Sequence, residues 1–131
     1  MIYVDSSAVL AQILAENVRP PESMWGQPLI TSRITTYETW TRVNARGLTR
    51  SHGDDLRHVL ERMALVELSP SVLARALEPW PVALRTLDSL HLATMEWLRQ
   101  QGQHVELACF DARLIDAAAR LGFAQWVASP G

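Results

Sequence analysis

Four acidic residues follow four short apolar runs of the sequence: Asp5 after IYV, Glu38 a few residues beyond LIT, Asp88 at the start of LDSLHLATMEWL, and Asp111 directly after VELACF. If these runs are parallel strands, each acid lies at or near the carboxyl end of its strand, the edge where open α/β sheets bind ligands. Carboxylates a few ångströms apart repel one another, so such a cluster either takes up protons or holds a cation. Mg²⁺ and Mn²⁺ prefer carboxylate oxygens, and an ion of this kind can activate water for phosphodiester cleavage. The four acids therefore predict an acidic metal site for hydrolysis.

Three of these acids also have an ordinary structural interpretation. Thr35 and Glu38 have the spacing of a capping box, in which the glutamate bonds back to the start of its helix. Asp111 has the position of a plain N-cap, and Asp88 has the position of an acid that complements a helix dipole. Each interpretation explains one residue, and none explains why four acids occupy corresponding strand-to-helix turns.

Asp5 is the acid that a structural role explains least well. It leads into a helix whose N-cap could be supplied by Ser6 or Ser7, so its charge would be poorly placed without a partner. We therefore favour a shared metal site over four separate helix caps.

Composition restricts the class of protein. The chain has 131 residues, 48% of them hydrophobic, which fits a single domain over residues 1–131 with a core of ordinary size. Its N-terminus reads as mature structure, and no apolar run is long enough for a membrane span, so we expect no membrane association. The single cysteine, Cys109, excludes an internal disulfide and suits the reducing cytoplasm. All twelve basic residues are arginine, which excludes sites built on lysine, and a net charge of −2 argues against coating of nucleic acid by bulk electrostatics.

Apolar periodicity predicts strands that alternate with helices. Strands are predicted at residues 2–4, 29–32, 65–68 and 105–110, with a closing strand at 124–128. Helices are predicted at residues 6–16, 34–47, 51–64, 69–77, 87–101 and 111–122. In the second helix, the spacing predicts a single face that carries Ile34, Tyr37, Trp40 and Val43. This alternation is typical of an α/β sandwich with a mainly parallel sheet.

Four segments carry a resemblance to a known family: YVDSSAVLA, TSRITTYE, LRTLDSLHLATM and CFDARLIDAAARLG, in that order along the chain. The sequence resembles a PIN-domain ribonuclease of the VapC toxin type, over essentially its whole length. The resemblance implies a PIN-like three-layer α/β/α sandwich and a Mg²⁺- or Mn²⁺-dependent endoribonuclease that cleaves RNA and inhibits translation. It also implies a homodimer and neutralisation by a VapB-type antitoxin.

The resemblance places the family's catalytic and metal-binding acids on Asp5, Glu38, Asp88 and Asp111. Ser7 matches a small hydroxyl residue that helps to hold the first carboxylate. The sequence departs from the family at Cys109, because the family usually has serine or threonine two residues before the last acid. A thiol is a weaker hydrogen-bonding group, which would make the site looser there, with lower activity or altered metal preference. The interpretation that we favour for Cys109 is a small buried residue on a strand.

Several other residues are candidates for substrate contact or for support of the site. His91 shares a helical face with Asp88, although a lone histidine on an apolar helix is more often a hydrogen-bonded core residue. Arg85 and Arg113 could contact substrate phosphates or pair with the neighbouring acids. Asp116 follows Asp111 on the same helix but points well away from it.

Two other functions fit the same fold. One is a binding module that keeps the PIN fold without catalysis and recognises RNA or a protein. The other is a DNA-directed flap nuclease, which the chain does not favour because it lacks the insertions that thread a strand. For the dimer and antitoxin contacts we expect the exposed faces of residues 34–47 and 51–64, with surface contributed by Trp25, Tyr37 and Trp40.

Overall fold

A computed structural model of the chain describes residues 1–128, which form a four-stranded parallel sheet with six α-helices. The strands are β1 (Ile2–Val4), β2 (Leu29–Ser32), β3 (Met63–Val66) and β4 (Glu106–Ala108). The helices are α1 (Ser6–Ile13), α2 (Arg33–Ala45), α3 (Thr49–Glu61), α4 (Pro70–Ala76), α5 (Thr86–Gln100) and α6 (Ala112–Arg120), and a short 3₁₀ helix covers Glu22–Gly26. None of these helices of residues 1–128 is long and apolar enough to span a membrane.

The sheet has the strand order β3-β2-β1-β4, and every pair is parallel. Register pairs Tyr3 with Ile30 on one side and with Leu107 on the other. Because all four strands run the same way, their carboxyl ends lie at one edge of the sheet. The predicted α/β sandwich with a mainly parallel sheet is confirmed.

Helices cover both faces of the sheet, as continuous apolar strands require. In β1, Ile2 and Val4 pack in one core with residues of α1 and α3, whereas Tyr3 packs in a second core with residues of α5 and α6. The sheet therefore lies between two helical layers, and β1 at its centre is buried on both faces.

Several predicted element boundaries are wrong by a few residues, among them the ends of α1, α3 and β4. β3 is Met63–Val66 instead of 65–68, because pairing from Leu29–Met63 to Ser32–Val66 draws the end of the predicted helix into the sheet. The predicted closing strand reduces to one parallel bridge between Leu107 and Gln125. The predicted helix ends at two glycines are confirmed, since Gly47 and Gly102 have φ values of +70° and +82°.

The buried face of α2 also differs from the prediction. It carries Thr35, Thr39 and Val43, whereas Tyr37 is 63% exposed. The threonines tolerate burial because their hydroxyls are hydrogen-bonded; Thr39 Oγ1, for example, donates to the carbonyl of Thr35 at 2.7 Å. Trp25, expected at the surface, is buried in the core beside α1 and α3.

Candidate active site

Asp5 lies directly after β1 and is itself the N-cap of α1. Its Oδ1 accepts hydrogen bonds from the Ala8 amide at 3.2 Å and from Ser7 Oγ at 2.7 Å. The expectation that Ser6 or Ser7 caps this helix is therefore wrong. A buried carboxylate begins the helix, and the hydroxyl of Ser7 orients it.

Glu38 lies in the second turn of α2 and does not form a capping box. The N-cap of α2 is Ser32, whose Oγ accepts from the Ile34 amide at 3.1 Å, and the hydroxyl of Thr35 is within 2.7 Å of Thr31 Oγ1. The capping-box interpretation is wrong. The carboxylate of Glu38 therefore has no capping role and is free to contact other residues.

Asp88 and Asp111 occupy the first turn and the N-cap of their helices. Asp111 follows β4 and accepts a hydrogen bond from the Arg113 amide at 3.0 Å, as the capping interpretation predicted. Asp88 lies in the first turn of α5 and is 9% exposed. Helix capping and a place in a shared site are compatible here, because one carboxylate oxygen can cap while the other faces a cavity.

The four acids line a single cavity of about 420 Å³ at the carboxyl edge of the sheet. The other lining residues come from the starts of α1 and α5 and from α2: Ser6, Ser7, Arg42, Arg85, Thr86, Leu87 and His91. Cys109 is buried against Asp5. Arg113 and Asp116 do not line the cavity, and Asp116 is exposed and pairs with Arg120 at 3.3 Å.

Sequence reasoning missed four residues of this cavity: Ser6, Arg42, Thr86 and Leu87. Ser6 donates a hydrogen bond to Glu38 Oε2 at 3.0 Å. Arg42 lies four residues after Glu38 on α2, so helical spacing from an already suspected acid was a signal that could have identified it.

Glu38 is held by a buried histidine. His91 is 1% exposed, its Nε2 lies 2.7 Å from Glu38 Oε1, and its Nδ1 lies 2.7 Å from the hydroxyl of Tyr3. Burial by itself lowers the pKa of His91, but the hydrogen bond and charge of Glu38, together with the charges of Asp5 and Asp88, outweigh burial and raise the pKa. Glu38 thus has a fixed orientation set from the core of the protein.

Cys109 links Asp5 to the Asp111 turn. Its Sγ lies 3.2 Å from Asp5 Oδ2 and accepts a hydrogen bond from the Asp111 amide at 3.1 Å. Burial, followed by the nearby charge of Asp5, raises the pKa of the Cys109 thiol far above its usual range. The group therefore stays a protonated donor to Asp5 at neutral pH, and it does not act as a thiolate nucleophile.

The cavity carries an excess of negative charge. Burial raises the pKa of Asp5, and burial together with the charge of Asp111 raises the pKa of Asp88. Both pKa shifts mean that the ionised carboxylates are disfavoured in the protein without a cation. A cation bound nearby would favour the ionised form instead.

The donors fit a hard cation in type but do not form a closed site. Over residues 1–128, no three side chains of His, Cys, Asp or Glu lie close enough together to hold one ion directly. The shared metal site predicted from the four acids is thus not seen as a set of three direct ligands in these residues. Hydrogen bonds from Ser7 and Cys109 already engage Asp5. The set of oxygen donors fits Mg²⁺ held by one or two carboxylates and several waters, because Mg²⁺ dehydrates reluctantly.

Comparison with known proteins identifies relatives of the whole chain. The PIN domain family matches residues 2–121. Ribonuclease VapC46 of Mycobacterium tuberculosis is 34% identical, over 94% of this chain and 94% of that protein. Ribonuclease VapC47 of the same species is 28% identical, over 100% of this chain and 98% of that protein.

Two solved structures share the fold. The M. tuberculosis toxin VapC20, which cleaves the sarcin-ricin loop, superposes with a TM-score of 0.71 at 20% identity, over 96% of this chain and 98% of that one. A chain from a toxin–antitoxin complex of Klebsiella pneumoniae superposes with a TM-score of 0.58 at 16% identity, over 86% of this chain and 88% of that one.

Proposed function

This chain belongs to the PIN-domain family, as a VapC-type member, and we propose that it is a Mg²⁺- or Mn²⁺-dependent endoribonuclease that cleaves RNA as the toxin of a toxin–antitoxin pair. The observation that carries the proposal is the set of four carboxylates around one cavity, where burial raises the pKa of Asp5, and burial together with the charge of Asp111 raises the pKa of Asp88. A cluster of this kind favours a divalent cation, and its location at the strand ends favours a substrate that reaches it from solvent.

In this proposal Asp5, Glu38, Asp88 and Asp111 hold the cation, two of them at most in direct contact. When bound, the ion supplies Lewis-acid chemistry, in that it activates water and neutralises charge on the scissile phosphate. The geometry of the carboxylates is the contribution of the chain itself. Ser7 and Cys109 orient Asp5, whereas His91 and Ser6 orient Glu38.

Two arginines complete the proposed site. Arg42 of α2 and Arg85, the residue before α5, both line the cavity and are exposed. Guanidinium groups bind phosphate oxygens in a forked geometry, so these two residues can hold the RNA backbone against an otherwise acidic cavity. Arg113 and Asp116 lie outside the cavity and have no role in the proposed reaction.

The proposed partners follow from the similarity to VapC toxins. RNA is the substrate, the protein acts in the cytoplasm as a homodimer, and a VapB-type antitoxin neutralises it. An antitoxin that inserts an arginine into the acidic cavity would compete with the cation or with the substrate phosphate. The toxin–antitoxin complex from K. pneumoniae, in which a chain of this fold occurs, supports a partner of this kind.

The test is RNA cleavage by the purified chain with Mg²⁺ or Mn²⁺, compared with the Asp5→Asn and Asp88→Asn variants. Asparagine keeps the side-chain shape but removes charge from the cation site, so both variants should be inactive while folded. The matched control is Asp116→Asn, the same chemical change on an exposed acid outside the cavity. Cleavage that persists in EDTA, or that is equal in all four proteins, would refute the mechanism. Binding of RNA without cleavage would instead favour a non-catalytic binding module, for which the lack of a closed three-ligand group in residues 1–128 is the supporting observation.

A further inference from the structure

A second concavity opens beside the acidic cavity. It has a volume of about 360 Å³ and shares four lining residues with the cavity: Ser6, Glu38, Arg42 and Leu87. From this shared wall it continues between α1 and α2, past Leu10, Ile34 and Tyr37. We call this concavity the side groove. The shared wall makes the acidic cavity and the side groove one continuous surface.

Arg42 gives the shared wall a positive charge. The side chain is exposed, and within residues 1–128 it forms no ion pair. The acid one turn before it, Glu38, directs both carboxylate oxygens to other residues, namely His91 and Ser6. The guanidinium is therefore available to an anion that enters the cavity.

Tyr37 gives the side groove an exposed aromatic ring. It is 63% exposed, although it lies on a helix that packs against α1, α3 and α5. Its neighbours along the groove, Leu10, Ile34 and Leu87, are apolar, and Leu87 is 42% exposed. A flat apolar group placed there would contact the phenol ring and these side chains together.

The side groove thus offers an arginine beside the site of cleavage and an aromatic platform just beyond it. A nucleotide has the complementary parts, an anionic phosphate and a flat base with a π-face. A protein segment would use the apolar residues but has no need of a free cation next to a cluster of acids. Continuity with the acidic cavity and the charge of Arg42 therefore favour single-stranded RNA as the occupant.

We propose that the side groove binds the nucleotide next to the scissile phosphodiester, with Arg42 on a backbone phosphate and the ring of Tyr37 stacked on the base. This proposal rests on the proposed ribonuclease function and adds a substrate-binding site to it. Stacking on an aromatic ring tolerates any base, so Tyr37 contributes affinity for unpaired nucleotides, whereas Arg42 positions the backbone.

The experiment measures binding of a short single-stranded RNA to the full chain with the Asp88→Asn substitution, which prevents cleavage during the measurement. Tyr37→Ala in that background should weaken binding about tenfold, and Tyr37→Phe should bind within about twofold of its parent, because phenylalanine keeps the ring. Arg42→Gln should weaken binding and lower the salt dependence by about one phosphate contact. Arg46→Gln is the matched control, since Arg46 is an exposed arginine one turn further along that lines neither concavity.

A stacking-specific readout separates contact from mere folding. RNA labelled with 2-aminopurine should lose fluorescence on binding to the parent chain and to its Tyr37→Phe variant, because both have an aromatic ring in the groove. The loss should be smaller on binding to the Tyr37→Ala variant. The side chains of Tyr37 and Arg42 are both exposed, so circular dichroism should show an unchanged fold in every variant.

The outcomes distinguish this proposal from the proposed function. If the wild type cleaves RNA while Tyr37→Ala and Arg42→Gln bind and cleave it normally, the side groove proposal is overturned and the ribonuclease function stands. If those variants keep normal RNA binding but fail to assemble with a second copy or with an antitoxin, the groove is a protein interface and the proposal is also overturned. If the Asp88→Asn chain binds RNA through Tyr37 and Arg42 but the wild type does not cleave it, the groove stands and the catalytic function fails.

Discussion

His91 Nε2 lies 2.7 Å from Glu38 Oε1, across 53 residues of sequence and at the boundary between the core and the acidic cavity. A carboxylate can only accept hydrogen bonds, so Nε2 must carry the proton whenever Glu38 is ionised. Nδ1 then either accepts from the hydroxyl of Tyr3 or, in the protonated ring, donates to it. The hydrogen bond to Glu38 forms in both protonation states of His91. His91 is therefore a buried positioning residue that fixes the carboxylate of Glu38.

Replacement of His91 should therefore affect both stability and cleavage. His91→Ala leaves a cavity and two unsatisfied polar groups, and we expect a loss of about 2–4 kcal/mol in the free energy of unfolding. Tyr3→Phe removes only the distant hydrogen bond and should cost about 1 kcal/mol. Urea unfolding measures both values. His104→Ala, on an exposed histidine, is the control. Equal stability of the His91 and His104 variants would contradict the positioning role of His91.

The raised pKa of His91 also predicts a pH dependence of stability. A histidine whose folded pKa exceeds its unfolded value of about 6.5 binds its proton more tightly in the folded protein. Its contribution is fully present below pH 6.5 and is lost as the pH rises through the folded pKa. The difference in unfolding free energy between the wild type and His91→Gln should thus shrink as the pH rises from about 6.5 through the folded pKa of His91. A difference that grows with pH would show that the pKa of His91 is lowered in the folded protein instead of raised.

The ionised carboxylate of Asp5 lowers stability near neutral pH. Burial raises its pKa above the ordinary value of 3.8, so the ionised carboxylate is disfavoured in the folded state. Stability that exists while Asp5 is protonated is lost as the pH rises through its folded pKa. Asp5→Asn removes this cost, and we expect the inactive variant to be more stable than the wild type by about 0.5–2 kcal/mol at pH 7. The gain should disappear near pH 4, as thermal unfolding at the two pH values would reveal; a variant less stable at pH 7 would count against this account.

The strand-end acids could be predicted from sequence because parallel topology alone brings the carboxyl ends of strands together. The order of apolar runs was sufficient for Asp5, which follows β1 directly, and for Asp111, which lies three residues after the end of β4. Long-range pairs such as Tyr3 with His91 could not be predicted, because they depend on the strand order and on the rotation of α5 about its axis.

The orientation of α2 was the main error, and its cause is physical. Thr35 and Thr39 look like surface residues in a sequence, but their hydroxyls bond to neighbouring groups and can be buried at little cost. Burial of these small residues turns Tyr37 outward and Glu38 towards the cavity. Apolar periodicity therefore predicted the buried face of α2 only in part: Val43 is buried and Trp40 packs against the core, whereas Tyr37 is exposed.

Gly53→Ala offers a test of packing away from the site. Gly53 lies in the middle of α3 with an ordinary helical backbone, and an added Cβ would lie 3.4 Å from the Trp40 ring, an ordinary van der Waals contact. Alanine favours helix over glycine by about 0.5–1 kcal/mol. We expect the variant to be more stable by up to this amount, with unchanged cleavage. Destabilisation in urea would show that Trp40 cannot accommodate the methyl group.

Substitutions of Cys109 test how its thiol affects the site. Its Sγ donates to Asp5 Oδ2 at 3.2 Å and is buried, so the thiol occupies the position where the family usually has a hydroxyl. A hydroxyl is the stronger donor, and Cys109→Ser should hold Asp5 more firmly. We expect Cys109→Ser to cleave RNA at least as fast as the wild type and to need less Mg²⁺ for half-maximal rate. Cys109→Ala, which removes the donor, should cleave more slowly by about tenfold and need more Mg²⁺. Cleavage rates measured over a Mg²⁺ series distinguish these variants, and identical curves for serine, alanine and cysteine at this position would show that the contact with Asp5 has no part in the reaction.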